Sequence, residues 1–370
     1  MKESPNYDED PEPKKLSKAI QVARSLANFC LANWLIFSFG FATLMAYLFP
    51  HVAAKGGIIR SEYSILYGAV ALIFLINAVQ LSPDKLRERV TNWRLHIVVQ
   101  GINLVLIPVI QLIRVVIAAE GVSSGAIEAS ILIGMIVATC TPTTIASGVV
   151  MTRNSGGDEA AAIIEVVLGN VTGAILTPWL IYGYLPRDPE FDSLKPAPPT
   201  DIGPMSTFSG AFETGAIYSL PNSSIIFNVL MNVAEYVLFT VICYYIAYPP
   251  NLLIRVLNPL IADSKAGLRL PATLKRAITI GRMDPVQVVA VCFCGAAKTT
   301  TLGIPLVASM WSRLDDFTIS SIQVPVLLYT VEQVFLAQFF TIFFKHWLEK
   351  VTKSAADTDL QSPDERQSTV

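Results

Sequence analysis

The stretch CFCGAAKTTTLGIPL, Cys292–Leu306, places a single lysine, Lys298, in the middle of an otherwise uncharged segment. The run GAAKTT resembles a phosphate-binding loop, but that motif needs a glycine directly before the lysine, where this chain has Ala297. Hydrophobic residues continue on both sides of the lysine. The segment therefore predicts a membrane-spanning helix that Gly303 and Pro305 interrupt near its middle.

The composition supports a membrane protein. The 370 residues are 52% hydrophobic and 15% charged, against about 25% charged in soluble domains, and the mean hydropathy is +0.51. A net charge of −2 indicates no nucleic-acid partner. Apolar residues collect in eight runs, each long enough to cross a bilayer as a helix. These runs are Phe29–Phe49, Tyr63–Leu81, Leu95–Ala119, Ile127–Met151, Ala160–Leu185, Ser224–Tyr248, Val286–Met310 and Ile322–Phe344.

The basic residues predict an orientation. If the eight spans alternate, 20 of the 27 lysines and arginines fall on one side and 5 on the other, with Arg114 and Lys298 inside spans. Basic residues collect on the cytoplasmic side of membrane proteins. Both termini and the Arg255–Arg282 connection are therefore predicted to be cytoplasmic. Arg114 lies nearer a span end, and we expect its side chain to extend toward the interface.

The remaining segments indicate no enzyme. Residues 1–28 and 351–370 are polar and are predicted to be cytoplasmic tails, and residues 186–223 are predicted to be an irregular linker because PRDP and KPAPPT interrupt it. His51, His96 and His346 lie at span edges, where they mark interfaces rather than ligands. The sequence shows no catalytic set, metal-binding spacing or cofactor motif. All five cysteines lie in apolar runs and are interpreted as packing residues: Cys30, Cys140, Cys243, Cys292 and Cys294.

A second interrupted span shares the design of the first. Ala138–Thr152 reads ATCTPTTIASGVVMT, with Pro142 in its middle and hydroxyl side chains around it. Each interrupted span is followed by one more span. Paired broken helices in two halves of a chain indicate a transporter binding site, while ordinary kinked helices are the alternative. The candidate residues in these two spans are Thr141, Pro142, Thr143, Thr144, Ser147, Lys298, Thr299, Thr300 and Thr301.

These motifs resemble a known family. TCTPTTIASGVVMTRNSGGDEAAAI and CGAAKTTTLGIP are similar to the bile acid:sodium symporter superfamily. GGDEAAAIIEVVLGN and VLLYTVEQV are closest to its divergent branch, which contains vertebrate member seven of solute carrier family 10 and fungal regulators of calcium homeostasis. The resemblance implies an all-α polytopic membrane protein with two inverted repeats of five helices. It also implies that the fourth helix of each repeat is broken and that the two breaks cross at the substrate site.

The chain departs from that pattern in its number of spans. It has eight of the ten expected spans, and the sixth helix and most of the seventh are missing between about Leu185 and Met205. The first repeat then covers residues 29–185, and the truncated second repeat covers residues 224–350. A gene-model or splicing error and a natural short form both explain the loss.

The second departure concerns sodium. In the symporters a Ser-Asn pair after the first break and a Glu and Gln in the second resemble sodium ligands. Here Ser147 is kept, whereas the other three positions fall on Gly148, Cys294 and Lys298. A hard cation needs oxygen ligands, so the resemblance argues against sodium binding.

Lys298 is then a candidate for a built-in cation at the ion's position. A lysine at membrane depth costs about 2.5–3.5 kcal/mol, so we expect a carboxylate partner, Glu165 or Glu332, with Glu235 as a third candidate. The alternative is a lysine that lines water without a partner. Gln333, beside Glu332, completes the candidate site.

Two functions from different classes remain open. One is a sodium-independent or proton-coupled carrier of a small solute, with Glu165 or Glu332 as the protonatable group. The other is a non-transporting regulator that restrains calcium influx through a calcium channel or another membrane protein, as the resemblance implies. An inactive truncated product is a further alternative. The expected location is the plasma membrane, with the endoplasmic reticulum, Golgi or vacuole as alternatives.

Overall fold

The computed structural model describes residues 34–49, 83–123, 125–196, 220–263 and 281–361, with isolated residues at 24, 25, 52, 58, 72 and 75. The chain divides into two compact units, Met1–Leu48 and Phe49–Val370. In the first unit the structure describes one helix, α1 (Trp34–Leu48), inside the first expected span. Most of the second expected span, residues 63–81, and residues 264–280 of the basic connection lie outside the described residues.

The second unit contains every other described helix. A π-helical turn, Ile102–Leu106, joins α3 to α4, and a 3-10 helix, Pro189–Leu194, follows α7. No strand occurs among the described residues. The helices are α2 (Pro83–Val90), α3 (Trp93–Gly101), α4 (Ile107–Ser123), α5 (Ala129–Cys140), α6 (Ile145–Asn154), α7 (Glu159–Tyr184), α8 (Asn222–Ala247), α9 (Asn251–Asp263), α10 (Pro285–Ala296), α11 (Thr300–Met310) and α12 (Asp316–Gln361).

The described helices have the length and composition of membrane spans. Five segments qualify: Trp93–Val116, Glu159–Tyr184, Asn222–Ala247, Pro285–Met310 and Asp316–Ser354. The fourth expected span is divided into α5 and α6 by its break. Large apolar side chains face outward on several helices, including Trp179, Leu230 and Phe339, as expected for a surface in lipid. The prediction of an all-α polytopic membrane protein is confirmed for this part of the chain.

Hydrogen bonds between loops place the helix ends in two groups. At one end, Asn92 Nδ2 donates to Gln287 Oε1 (3.3 Å), the Asp158 N–H donates to the Val286 carbonyl (2.9 Å) and the Met283 N–H donates to the Ala247 carbonyl (2.9 Å). We call this the Asn92 end. At the other, the Glu128 N–H donates to Ser224 Oγ (3.1 Å) and Ser223 Oγ to the Ala126 carbonyl (3.0 Å). We call this the Ser224 end.

These ends define two groups of three spans. The first group is α3–α4, α5–α6 and α7, and it starts at the Asn92 end. The second group is α8, α10–α11 and α12, and it starts at the Ser224 end. In both groups the middle span is the broken one. The two groups therefore have the same order of elements and run through the membrane in opposite directions.

Two segments are more regular than the sequence indicated. The segment from residue 351 was expected to be a polar tail, and α12 continues through it to Gln361. Inside the expected linker, the 3-10 helix Pro189–Leu194 is anchored because Trp311 Nε1 donates to the Leu194 carbonyl (2.7 Å). Residues 197–219 of that linker lie outside the described residues.

Candidate functional site

The first break separates α5 from α6. The backbone is extended there, with ψ of 153° at Thr141 and 143° at Thr144, and Pro142 supplies no N–H to continue the helix. Four backbone carbonyls that the break leaves without helical partners accept hydrogen bonds from other elements. Thr177 Oγ1 donates to Cys140 (3.0 Å), Lys298 Nζ to Thr141 (3.0 Å), the Thr299 N–H to Pro142 (2.9 Å) and Asn170 Nδ2 to Thr143 (3.2 Å).

The second break separates α10 from α11. The backbone is extended at Ala297 and Thr299, with ψ of 146° and 133°. Gln333 holds Lys298 through both backbone groups, accepting from its N–H (2.9 Å) and donating to its carbonyl (2.6 Å). The preceding carbonyls are also bonded. Asn103 Nδ2 lies 3.3, 3.0 and 3.1 Å from those of Cys294, Gly295 and Ala297, and Tyr329 Oη donates to that of Ala296 (3.1 Å).

The two breaks are in direct contact. The Thr299 N–H, in the second break, donates to the Pro142 carbonyl, in the first, across 2.9 Å. Successive Cα atoms are only about 3.8 Å apart, so Thr143 and Thr300 lie next to the same contact. The two broken helices therefore cross at their breaks, as the sequence predicted.

Lys298 lies inside this crossing with its side chain 1% exposed. Its Nζ donates to the Asn103 carbonyl (2.6 Å), to Asn103 Oδ1 (3.1 Å) and to the Thr141 carbonyl (3.0 Å). The prediction of a carboxylate partner is wrong, because none of Glu165, Glu332 and Glu235 forms an ion pair with this ammonium among the described residues. An ammonium has three N–H bonds, and three neutral oxygens already accept them.

Glu165 instead pairs with a histidine. His96 Nδ1 lies 2.5 Å from Glu165 Oε1, and Gln100 Nε2 donates to Glu165 Oε2 (2.9 Å). Both partners lie on α3, one turn apart, while Glu165 lies on α7 and is fully buried. His96 lies at the start of the span and faces the protein interior. It is 6% exposed and bonded through both ring nitrogens.

Glu332 lies in a different polar cluster. Arg114 Nη1 donates to Glu235 Oε1 (2.8 Å), so the expectation that Arg114 extends toward the interface is wrong. Glu235 is 1% exposed, and a buried carboxylate recruits a cation from a neighbouring helix because burial without a partner is unfavourable. Glu332 on α12 faces Asn232 on α8, one turn from Glu235. We call this group, with Gln111 and Asn228, the polar chamber.

The polar chamber contains a buried amide without hydrogen-bond partners. Both amide atoms of Asn228 lack partners, while the Asn232 amide lies beside Glu332 and the Gln111 amide lies beside Glu235. All three amides are at most 1% exposed. Asn228, Asn232 and Glu235 lie at spacings of four and three residues, so they share one face of α8. Buried amides are normally paired, so the Asn228 amide is an exception in this group.

The hydroxyl side chains of the two breaks differ in position and in their hydrogen bonds. Thr143 Oγ1 and Ser147 Oγ are buried without partners beside the crossing. Thr144 directly precedes α6, and Thr300 and Thr301 open α11, where Thr299 Oγ1 accepts from the Thr301 N–H (3.3 Å). The crossing thus brings together all the predicted site residues except Glu165 and Glu332.

The positions that the resemblance assigns to the symporters' sodium ligands include two that offer no oxygen side chain here. A Cβ on Gly148 would lie 3.6 Å from Cys294 Sγ and 3.7 Å from Thr143 Oγ1, so two of those positions are neighbours. Hard cations need several oxygen ligands, whereas these two positions offer no side chain and a thiol. At a third position the chain supplies the Lys298 ammonium.

Comparison with known proteins identifies the family. The model of the SBF-like CPA transporter family matches residues 33–195 and 204–346, which is most of the chain. This chain belongs to the SBF-like CPA transporter family. The suspected relation to the bile acid:sodium symporter superfamily is confirmed, and the chain is a multi-pass membrane protein of a transporter family rather than of an enzyme family.

Relatives of this SBF-like chain are named as carriers and cotransporters. It is 30% identical to solute carrier RCH1 of Candida albicans, over 93% of this chain and 95% of that protein. It is 28% identical to solute carrier RCH1 of Saccharomyces cerevisiae, over 89% of this chain and 87% of that protein. It is 27% identical to sodium/bile acid cotransporter 7 of the mouse, over 85% of this chain and 93% of that protein.

The sequence contained a signal for the residues that were missed. His96, Gln100, Asn103, Gln111 and Arg114 are polar residues near or inside one apolar span, the third. Polar side chains within a span generally face the protein interior. Their positions thus indicate that α3 and α4 line the site, although their partners depend on the fold.

Proposed function

We propose that this SBF-like chain is a solute carrier whose substrate site is the crossing of the two breaks. The hydrogen bond from the Thr299 N–H to the Pro142 carbonyl carries this proposal. Irregular backbone at membrane depth is tolerated only inside protein or beside water, and paired broken helices are where carriers bind their substrates. The opposite directions of the two groups of spans support an inverted repeat.

The carrier works without sodium. The Lys298 ammonium supplies a fixed positive charge at the crossing, where oxygens of Asn103 and Thr141 accept its protons. This tethered charge replaces the bound cation of the symporters. The lost oxygen ligands at Gly148 and Cys294 support the same proposal.

The polar chamber holds part of the solute. Its side chains offer amide N–H donors as well as amide and carboxylate oxygens. A simple cation would leave the donors unpaired, whereas a hydroxylated or amide-bearing organic solute would satisfy both kinds of atom. We therefore propose a polar organic substrate that forms hydrogen bonds with Asn228, Asn232 and Glu332.

The physiological role we propose is restraint of calcium influx at the plasma membrane. It rests on the resemblance of GGDEAAAIIEVVLGN and VLLYTVEQV to the fungal regulators. A second candidate is a regulator that acts through a calcium channel or another membrane protein without transporting a solute, as the resemblance to the fungal regulators implies.

The alignment to the fungal relatives leaves room for a missing pair of helices, whereas the alignment to the mouse protein leaves less. The latter spans 335 positions, and 85% of 370 residues is about 315, so about 20 positions lack a residue of this chain. The match to the Candida albicans protein spans 398 positions, and 93% of 370 residues is about 344, so about 54 positions lack a residue of this chain. Two spans need about 40 residues. The family match is interrupted between residues 195 and 204, where we propose that the sixth helix and most of the seventh are missing.

Access of water to the first break tests the carrier proposal without knowledge of the substrate. Thr144→Cys is placed beside the crossing, and the purified full chain in lipid nanodiscs is treated with a water-soluble maleimide. A carrier opens its site to water, so we expect steady labelling above the background of the native cysteines. The matched control is Val137→Cys. Val137 lies inside α5, more than one helix turn from Thr144, and is fully buried. Labelling of both variants at the background rate would contradict the proposal.

Calcium uptake separates the two roles. We expect this chain to lower radioactive calcium uptake in Saccharomyces cerevisiae cells that lack RCH1. If Thr144→Cys labels in nanodiscs and uptake falls, the chain is a carrier that restrains influx. If uptake falls while the break stays closed to maleimide, the non-transporting regulator is the correct reading.

A further inference from the structure

A cavity of about 500 Å³ lies at the Asn92 end, between the turn that follows α6 and the late part of α12. Three basic residues line it. Arg153 lies in the last turn of α6, and Lys345 and Lys353 lie on α12. The turn and α12 are in contact here, because a Cβ on Gly156 would lie 3.6 Å from Leu348 Cδ2. The cavity is therefore bounded by two packed elements of the second unit.

One face of α12 supplies most of the lining. Lys345, Glu349 and Lys353 follow one another at a spacing of four residues, so they share that face, with Thr352 beside them. Side chains on a helix lean toward its N-terminus. Because α12 ends at the Asn92 end, this direction points back toward the membrane. The two lysine side chains therefore lean toward the bilayer.

The cavity lies at the level of the lipid headgroups. Trp347, two residues after Lys345, packs edge-to-face against Tyr244 and Tyr248, with ring centroids 5.5 and 5.4 Å apart. Trp and Tyr collect at the boundary between membrane and water. Lys353 lies eight residues after Lys345, which is roughly 12 Å along a helix. A headgroup and two flexible lysine side chains can bridge that distance.

The protein does not neutralise the two lysines. Among the described residues, neither Lys345 nor Lys353 forms an ion pair, although Glu349 lies one turn from each. Arg153 is paired with Glu159. Two ammoniums and one carboxylate leave this face of α12 with a net positive charge and one strong acceptor.

These charges fit the headgroup of an anionic phospholipid. Such a headgroup carries a net negative charge, and lysine binds its phosphate through charge-assisted hydrogen bonds. It also carries ammonium or hydroxyl donors, which the Glu349 carboxylate can accept. A choline headgroup has no net charge and no N–H or O–H donor, so it fits less well. Basic pockets between helices on the cytoplasmic side of membrane proteins bind anionic headgroups.

We propose that this cavity binds the headgroup of an anionic phospholipid in the cytoplasmic leaflet, the side to which the basic residues assign the Asn92 end. The bound headgroup joins α6 to α12. The first of these helices begins at the first break, and Gln333 of the second holds Lys298 in the other break. The lipid therefore stabilises the packing of two helices attached to the breaks, whether or not the chain transports a solute.

The melting temperature of the purified full chain in a neutral detergent tests the site. Phosphatidylserine or phosphatidylcholine is added to the micelles at increasing concentration, and a lipid that binds the folded chain alone raises the melting temperature. We expect phosphatidylserine to raise it to a plateau and phosphatidylcholine to leave it nearly unchanged. Equal shifts with the two lipids, or no shift with phosphatidylserine, would overturn the proposal.

Two lysines of α12 provide matched variants. Lys353→Gln removes a charge from the cavity, whereas Lys350→Gln removes a charge that is also exposed but lies outside it. Without lipid, both variants should melt as the parent does. Lys353→Gln should need about fivefold more phosphatidylserine for the same shift, which is the loss expected for one basic residue beside anionic headgroups, and Lys350→Gln should need no more than the parent.

The double variant Lys345→Gln/Lys353→Gln should lose more of the response than Lys353→Gln does. Should the double variant not fold, Lys345→Gln alone serves and should lose about as much as Lys353→Gln. Equal losses for Lys350→Gln and Lys353→Gln would show a general attraction between the basic surface and anionic lipid, and this result would contradict a defined site.

Glycerophosphoserine distinguishes a lipid from a soluble ligand, because it has the same headgroup without acyl chains. At the concentration at which phosphatidylserine acts, we expect it to leave the melting temperature unchanged. If it raises the melting temperature of the parent as much as the lipid does, and does so less in Lys353→Gln, the cavity binds a soluble phosphate ester and the lipid proposal is wrong.

Discussion

At the scale of single residues, the stability of the crossing depends on Lys298. Its three charge-assisted hydrogen bonds are each worth about 1.5–3 kcal/mol, whereas placing a lysine at this depth costs about 2.5–3.5 kcal/mol. The bonds outweigh the burial, so Lys298→Met should lower the melting temperature clearly. Lys345→Met, the same change at an exposed position of α12, should change stability by no more than about 0.5 kcal/mol. Equal melting temperatures for the two variants would show that the ammonium is not bonded as described.

Two asparagines of similar burial should respond in opposite ways to the same substitution. Asn103 uses its amide on Lys298 and on the carbonyls at the end of α10, so Asn103→Leu should destabilise the chain by about 1–3 kcal/mol. Asn228 is fully buried and its amide has no partner, so Asn228→Leu should leave stability unchanged or raise it. Thermal unfolding of the two variants in detergent measures the difference. A large loss for Asn228→Leu would indicate that its amide is bonded within the protein.

The sequence predicted the residues of the crossing better than their partners. Pro142, the threonines and Lys298 could be recognised because proline, hydroxyl and charged side chains are unusual inside an apolar helix. Lys298 was expected to need a carboxylate because a buried charge needs compensation. Neutral oxygens of Asn103 and Thr141 provide it instead, and those oxygens come together only when three separate spans are packed. Residue type alone does not carry that information.

At the scale of elements, α7 packs tightly against the first break. A Cβ on Gly173 would lie 2.7 Å from Pro142 Cγ, closer than real contacts allow. Gly173→Ala should therefore push α7 off the break and cost about 1–3 kcal/mol, as overpacking does. Gly183→Ala in the same helix meets nothing within 4 Å and should be neutral or stabilise by up to about 1 kcal/mol. Thermal unfolding of both variants checks the pair, and equal effects would mean that α7 does not touch Pro142.

Some elements could be predicted from the sequence pattern, and others could not. Long apolar runs and their Gly, Pro and Thr interruptions predicted the spans and both breaks, because helix is the form available to a chain in lipid. The π turn Ile102–Leu106 was not predicted, since a shift in the backbone hydrogen-bond pattern leaves no mark in the composition. This turn contains Asn103, so the unpredicted element carries the residue that joins Lys298 to the rest of the site.

At the scale of the whole molecule, the proposed loss of two helices leaves the site intact. The two groups of three spans supply both breaks, the Lys298 partners, the His96–Glu165 pair and the polar chamber. The missing helices would belong to the start of the second repeat, and none of these contacts needs them. Their loss removes an even number of crossings, so the later spans keep their directions. The distribution of basic residues agrees with that, because Arg89, Arg153 and Lys353 all lie toward the Asn92 end.

The orientation of the molecule follows from the same distribution and can be measured. Asp192 lies in the 3-10 helix after α7, at the end of the second unit opposite to Asn92, and Lys353 lies late in α12, near the Asn92 end. Both residues are exposed. Because basic residues mark the cytoplasmic side, we expect a membrane-impermeant maleimide to label Asp192→Cys in intact cells and Lys353→Cys only after permeabilisation. The parent chain, whose described cysteines are buried, gives the background. Labelling of Lys353→Cys alone in intact cells would reverse the orientation. Labelling of neither variant until permeabilisation would place the protein in an internal membrane, against the proposed plasma-membrane location.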